Sequence, residues 1–195
     1  CLCAAMRMPV LLVSSLRPLV GKTAVCVAIA QRFAREGQRP RLARLATAEP
    51  DEAALADAHC FAFLSLSATK TDHPFSLEEV AELVKGATSP DDVLIVELPA
   101  GYPPGEAVRT LGGAVALVER SADLAVEDVA ALHKELGRAF AGLVLTAVPR
   151  ARAAAIADTL AEKGIASLAL LPEDRLLSSP SIGEMARALQ AETLF

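Results

Sequence analysis

The chain has 195 residues, of which 53% are hydrophobic and 22% charged, and its formal net charge is −5. This length suits one domain, and the apolar content can offset the entropy lost on ordering, which excludes a disordered protein. The acidic balance and the lack of any Lys/Arg-rich run argue against a nucleic-acid partner. Uncharged stretches are too short to cross a bilayer, and no secretory signal is evident, so we expect a cytoplasmic protein without membrane contact.

Short apolar runs alternate with helical patterns along the chain. Strands are predicted at 8–15, 41–46, 92–97, 114–118, 142–147 and 167–171, and helices at 21–36, 126–140, 152–163 and 181–190. Capping boxes at Ser76 with Glu79 and at Ser181 with Glu184 mark two helix starts. This alternation is typical of a mostly parallel sheet with helices on both faces. We therefore expect one α/β domain over residues 8–195, preceded by a tail of residues 1–7.

The segment SLRPLVGKT, residues 15–23, follows the first predicted strand and opens the first predicted helix. Gly-Lys-Thr in this setting is the core of a phosphate-binding loop, in which Lys22 reaches the β- and γ-phosphates and Thr23 coordinates Mg²⁺. The first glycine of the usual motif is missing, because position 16 is leucine. Under either interpretation, a phosphate ligand or a plain helix-start charge, we expect the Lys22 side chain to face solvent.

A carboxylate that holds the metal should end a neighbouring strand. Glu97 ends the DVLIVE strand and is the first candidate, although a strand-end acid can also simply face water. Asp51 and Glu52 follow the second strand and are further candidates, unless they are the N-terminal acids of a helix. The predicted metal ligands are Thr23, Asp51 and Glu97.

The loop, the AVCVAIAQRFAREG helix after it and the strand ending in Glu97 resemble the dethiobiotin synthetase and cobyrinic acid a,c-diamide synthase group of P-loop ATPases. The segment LPEDRLLSSPSIGE, residues 171–184, looks like the end of the dethiobiotin-synthetase-like N-terminal domain of DRTGG and phosphotransacetylase-type proteins. The resemblance implies a single-domain P-loop NTPase fold, ATP and Mg²⁺ as cofactors, and a loop that begins at Ser15. In this chain Arg44-Leu45 stands where the group has Lys-Pro, and Thr146 stands where it often has a base-holding asparagine.

The resemblance also indicates which residues bind the nucleotide and which act on it. The predicted nucleotide-binding residues are Ser15, Arg17, Val20, Gly21, Lys22, Thr23 and Ala24. The predicted catalytic residues are Lys22, Arg44 and Arg17. Relatives with a deviant loop send a basic residue at the position of Arg17 to the nucleotide of a partner subunit, which implies a homodimer. The alternative is that Arg17 folds over its own loop.

Three functions are compatible with these residues. The first is an ATP-binding domain that serves as the nucleotide-binding or regulatory module of a larger protein. The second is an ATP-dependent synthetase that activates a small carboxylate substrate, with Lys22 and Arg44 stabilising the transferring phosphoryl group. The third is a degenerate scaffold that dimerises without binding a nucleotide.

Overall fold

Six parallel strands form the centre of the molecule. The computed structural model describes residues 8–46, 52–64, 74–86, 89 and 91–174. The strands are β1 Val10–Ser14, β2 Arg39–Arg44, β3 Asp92–Glu97, β4 Ala114–Arg120, β5 Phe140–Val148 and β6 Ser167–Pro172. They pair in the order β2-β3-β1-β4-β5-β6, so β1 lies between β3 and β4.

Helices cover both faces of this sheet. They are α1 Lys22–Arg35, α2 Glu52–Phe63, α3 Leu77–Lys85, α4 Pro104–Leu111, α5 Val126–Leu136 and α6 Ala153–Glu162. Successive side chains of β4 point to opposite faces of the sheet. Val118 packs with residues of α1, and Leu117 packs with residues of α5 and α6. The predicted α/β domain with a parallel sheet and helices on both faces is confirmed.

The β3 strand aligns the polar residues at the carboxyl edge of the sheet. All six of its residues are buried, as expected of a parallel strand covered on both faces. Its last residue, Glu97, is in register with Val13 of β1 on one side and with Arg44 of β2 on the other. The ends of three neighbouring strands therefore meet at one place, beside the loop that follows β1.

The first predicted capping box is present at the start of α3. The Ser76 backbone N–H donates to Glu79 Oε2 at 2.7 Å, and the Glu79 backbone N–H donates to Ser76 Oγ at 3.2 Å. The second box, at Ser181 and Glu184, lies outside the described residues, as do the predicted helix at 181–190 and most of the 171–184 segment.

Several predicted boundaries were wrong. The predicted helix at 126–140 ends at Leu136, and Phe140 instead begins β5. The strand predicted at 41–46 begins earlier and is β2. Helix α4 was not predicted, because its first residues are Pro104 and Gly105, which read as a turn, whereas proline is compatible with the first turn of a helix. Within the described ranges no helix is both long and apolar enough to cross a membrane.

Candidate functional site

Buried polar side chains gather at the carboxyl edge of the sheet. Burying a polar or charged group is unfavourable unless it gains partners, so such a cluster marks a built site. The buried polar residues at this edge are Ser14, Ser15, Lys22, Arg44, Glu97 and Glu119. Among the residues that the structure describes, only Asp92 is a buried polar residue at the opposite end of the strands.

The loop between β1 and α1 forms the centre of this edge. Its last residue, Gly21, precedes α1 with a φ of 90°, a conformation that favours glycine. Leu19 also has a positive φ, of 57°, and it is 94% exposed at the loop surface. Because the first N–H groups of a helix have no acceptor within the helix, the start of α1 can bind an anion beside the loop.

The Lys22 side chain folds back onto the start of the loop. Its Nζ donates to Ser15 Oγ at 2.7 Å, and the Ser15 hydroxyl in turn donates to the Arg17 carbonyl oxygen at 2.7 Å. Lys22 is only 7% exposed, so the prediction of a solvent-facing side chain was wrong. The Ser15 hydroxyl explains the difference, because it offers the ammonium group an acceptor inside the loop.

Glu97 joins the helix start to the second strand. Thr23 Oγ1 donates to Glu97 Oε1 at 3.2 Å, and Arg44 Nη1 lies 3.6 Å from the same oxygen. Glu97 and Arg44 are both buried, so the alternative of a solvent-facing acid at position 97 is not what the structure contains. Two of the three predicted metal ligands are thus in contact, while the third, Asp51, lies outside the described residues.

The donor set of Thr23 and Glu97 fits Mg²⁺, which prefers oxygen ligands. Within the described part of the chain, no group of three His, Cys, Asp or Glu side chains could hold a metal ion by itself. Magnesium sites that serve phosphates commonly use one or two protein oxygens together with phosphate and water oxygens. The site is therefore compatible with a metal that arrives with a phosphate ligand.

A cavity of about 700 Å³ adjoins the loop. The predicted binding residues Val20, Gly21 and Ala24 line one side, and Thr146 and Pro172, at the ends of β5 and β6, line the other. The Thr146 hydroxyl donates to the Val20 carbonyl oxygen at 2.9 Å, which ties the loop to β5. The volume lies within the usual range for small-molecule sites.

Arg17 makes its contacts within its own chain. Its Nη1 donates to the Asp123 carbonyl oxygen at 2.6 Å and lies 3.6 Å from Glu119 Oε2. Of the two interpretations of Arg17, this arrangement corresponds to the one in which the side chain folds over its own loop. The homodimer stays a prediction.

Glu119 is a charged site residue that the sequence analysis missed. It is fully buried near the end of β4, and its Oε1 accepts a 2.6 Å hydrogen bond from the Leu16 backbone N–H. Burial raises the pKa of this carboxyl above its ordinary value, although the Leu16 N–H and the positive charges of Arg17 and Lys22 act in the opposite direction. The predicted strand stopped at Val118, so the acid directly after the apolar run went unnoticed.

Comparison with known proteins identifies the fold but no family. No protein-family model matches the chain, and no curated protein matches it. Among solved structures, the MinC–MinD cell division protein complex of Aquifex aeolicus is similar with a TM-score of 0.62 and 15% identity, covering 96% of this chain and 98% of that chain. A nucleotide-binding protein from Archaeoglobus fulgidus in complex with ADP gives a TM-score of 0.61 at 16% identity, covering 87% and 83%.

The kinase domain of the Escherichia coli tyrosine kinase ETK is also similar, with a TM-score of 0.51, 17% identity and coverage of 73% of this chain and 68% of that chain. These structures are P-loop NTPases, and the chain therefore has the P-loop NTPase fold, as predicted. At such low identity the likeness defines the fold alone. The narrower resemblance to the dethiobiotin synthetase group stays a prediction.

Proposed function

We propose that this domain binds a nucleoside triphosphate, ATP in the first instance, together with Mg²⁺, and serves as a nucleotide-binding module. The observation that carries the proposal is the position of Lys22. Its ammonium group donates a hydrogen bond to Ser15 at the start of a loop that ends in Gly21. A buried lysine with a hydroxyl partner at a helix start is poorly explained by packing alone, because its charge is better solvated in water. A phosphate ligand, which is negatively charged, would account for a positive charge at this position.

In this proposal the phosphates lie against the loop and the start of α1. The backbone N–H groups there and the Lys22 ammonium supply positive charge to a ligand that carries several negative charges. Thr23 and Glu97 would hold the Mg²⁺ ion, which neutralises phosphate charge when it is bound. Arg44 contacts Glu97, so its role in this scheme is to fix the direction of that carboxylate.

The cavity beside the loop would take the nucleoside. It is continuous with the phosphate loop, since Val20 and Gly21 line it, and much of the rest of its wall is apolar, including Ala24, Val25 and Leu171. An apolar wall with a few polar groups suits a planar base and a sugar. The choice of ATP is supported by the resemblance of the loop to that of P-loop ATPases and by the ADP bound to the similar Archaeoglobus fulgidus protein.

Calorimetric titration with Mg·ATP tests the proposal. The parent protein should bind, and Lys22→Ala should bind about ten-fold to a hundred-fold more weakly, because a charge-assisted hydrogen bond is lost. Lys134→Ala is the matched control, since Lys134 is an exposed lysine on α5, away from the loop, and its loss should leave the affinity unchanged. A parent protein that does not bind, or a Lys22→Ala protein that binds equally tightly, would contradict the proposal.

A further inference from the structure

Glu119 is a buried carboxylate that the proposed binding of phosphate and metal does not use. It lies near the end of β4, on the opposite side of β1 from Glu97. A fully buried acid at this position requires an explanation, because glutamate is almost never fully buried unless it is paired.

Its two oxygens contact two consecutive residues at the start of the loop. Oε1 accepts from the Leu16 backbone N–H at 2.6 Å, and Oε2 lies 3.6 Å from Arg17 Nη1. The same nitrogen of Arg17 donates to the Asp123 carbonyl oxygen, in the short turn Ser121–Asp123 that follows β4. One strand end and the turn after it therefore hold both the backbone and the side chain of the loop start.

These contacts do not fully offset the burial of the charge. Desolvation raises the pKa of Glu119 and outweighs the opposite effects of the Leu16 N–H and of the positive charges of Arg17 and Lys22. Ionisation of this carboxyl is therefore less favourable in the folded chain than in the unfolded one. Groups that are unfavourable for stability and lie beside a binding site are often retained for function.

We propose that Glu119 is a positioning residue for the phosphate loop, which holds Leu16 and Arg17 so that the amides after Pro18 are ordered before the ligand arrives. This inference rests on the proposed nucleotide binding. Because the Leu16 N–H donates to Glu119 and Pro18 has no N–H, neither residue offers a backbone donor to the phosphates, and the amides after Pro18 are the ones that lie next to the start of α1. In this arrangement Arg17 links the loop to the turn after β4 within one chain.

Three variants test the inference through two separate measurements, the dissociation constant for Mg·ATP and the midpoint of thermal unfolding. Glu119→Leu removes both contacts and should weaken binding about ten-fold, since a hydrogen bond to a charged group is lost. Glu119→Gln keeps an acceptor for Leu16 but offers no charge to Arg17, so its affinity should fall between those of the parent and Glu119→Leu. Its unfolding midpoint at neutral pH should equal or exceed that of the parent, because a buried charge has been removed.

Asp92→Asn is the matched control. Asp92 is also a buried, ion-paired carboxylate, 3.1 Å from Arg39, but it lies at the amino end of β3, away from the loop. This variant should change the unfolding midpoint without changing the affinity for Mg·ATP. The control separates a general effect of a lost buried charge from an effect on the loop.

The outcomes distinguish the two proposals. Weaker binding by Glu119→Gln at an unreduced unfolding midpoint supports the positioning role, whereas a merely structural role would lower affinity and midpoint together. Binding by both Glu119 variants that equals that of the parent overturns the inference and leaves the proposed function standing. A parent protein that does not bind Mg·ATP overturns the proposed function and this inference with it. If Glu119→Leu does not fold, Glu119→Gln and the control still decide.

Discussion

Two buried glutamates flank the loop from the two strands on either side of β1, and they differ in the groups that they contact. Glu97 ends β3 and contacts Thr23 at the helix end of the loop, with Arg44 as its charged neighbour. Glu119 lies on β4 and contacts Leu16 at the strand end of the loop through a backbone amide. The same type of side chain thus contacts a hydroxyl and a guanidinium group on one side of β1 and a backbone amide on the other. Their partners, and not the residue type, indicate their roles.

The largest effect on stability should come from removing the cation beside Glu97. Arg44→Leu leaves a buried carboxylate without its charged neighbour and should lower the free energy of unfolding by about 3 kcal/mol. Arg41→Leu is the control, because Arg41 lies on the same strand but is exposed, and its loss should change the free energy by less than about 1 kcal/mol. Urea unfolding measures both. Equal losses in the two variants would show that the Arg44–Glu97 contact contributes nothing special.

A smaller effect should separate the two glutamates by their dependence on magnesium. Glu97→Gln should weaken ATP binding about ten-fold in the presence of Mg²⁺ and much less in its absence, because in the proposed complex the carboxylate charge acts on the ligand only through the metal. Glu119→Gln should weaken ATP binding to the same extent with Mg²⁺ and without it. Titrations with Mg²⁺ and with EDTA measure the difference. If Glu97→Gln loses equal affinity in both buffers, Glu97 does not hold the metal.

The smallest effect should be a pH dependence of stability that arises from Glu119. Its folded-state pKa is raised, so the folded state binds the proton more tightly than the unfolded chain does. The contribution of Glu119 to the free energy of unfolding is therefore largest at low pH. It is lost as the pH rises from the pKa of an ordinary glutamate through the raised pKa of the folded state. The difference in unfolding midpoint between the parent and Glu119→Gln (parent minus variant) should therefore decrease as the pH rises over this range. A flat difference would mean that the pKa of Glu119 is not raised in the folded state.

The sequence predicted the sheet best where burial is complete. The boundaries of β3 were predicted correctly because all of DVLIVE is apolar or lies at the strand ends, and both faces of the strand are covered. Helix α4 was missed because its Pro-Gly start has the composition of a turn. The strand order was not predicted, since it depends on which strands pair over long distances.

The candidate site was also predicted only in part, namely where the signal lies in the local sequence. The Gly-Lys-Thr motif indicates local chemistry, so Lys22 and Thr23 were found, and Glu97 followed from its place after an apolar run. Glu119 satisfies that same criterion on β4 and could have been found by it. The burial of Lys22 could not be predicted, because it depends on a hydrogen bond to Ser15 across the loop.

Amide hydrogen exchange on the free protein and on the protein with Mg·ATP tests the central claim most directly. The account predicts that the Leu16 amide exchanges slowly in both states, because Glu119 already accepts its hydrogen bond. Exchange at residues 19–24 should be faster in the free protein and should slow markedly when Mg·ATP is added. Unchanged exchange at residues 19–24 at saturating Mg·ATP would contradict the claim that this loop binds the phosphates.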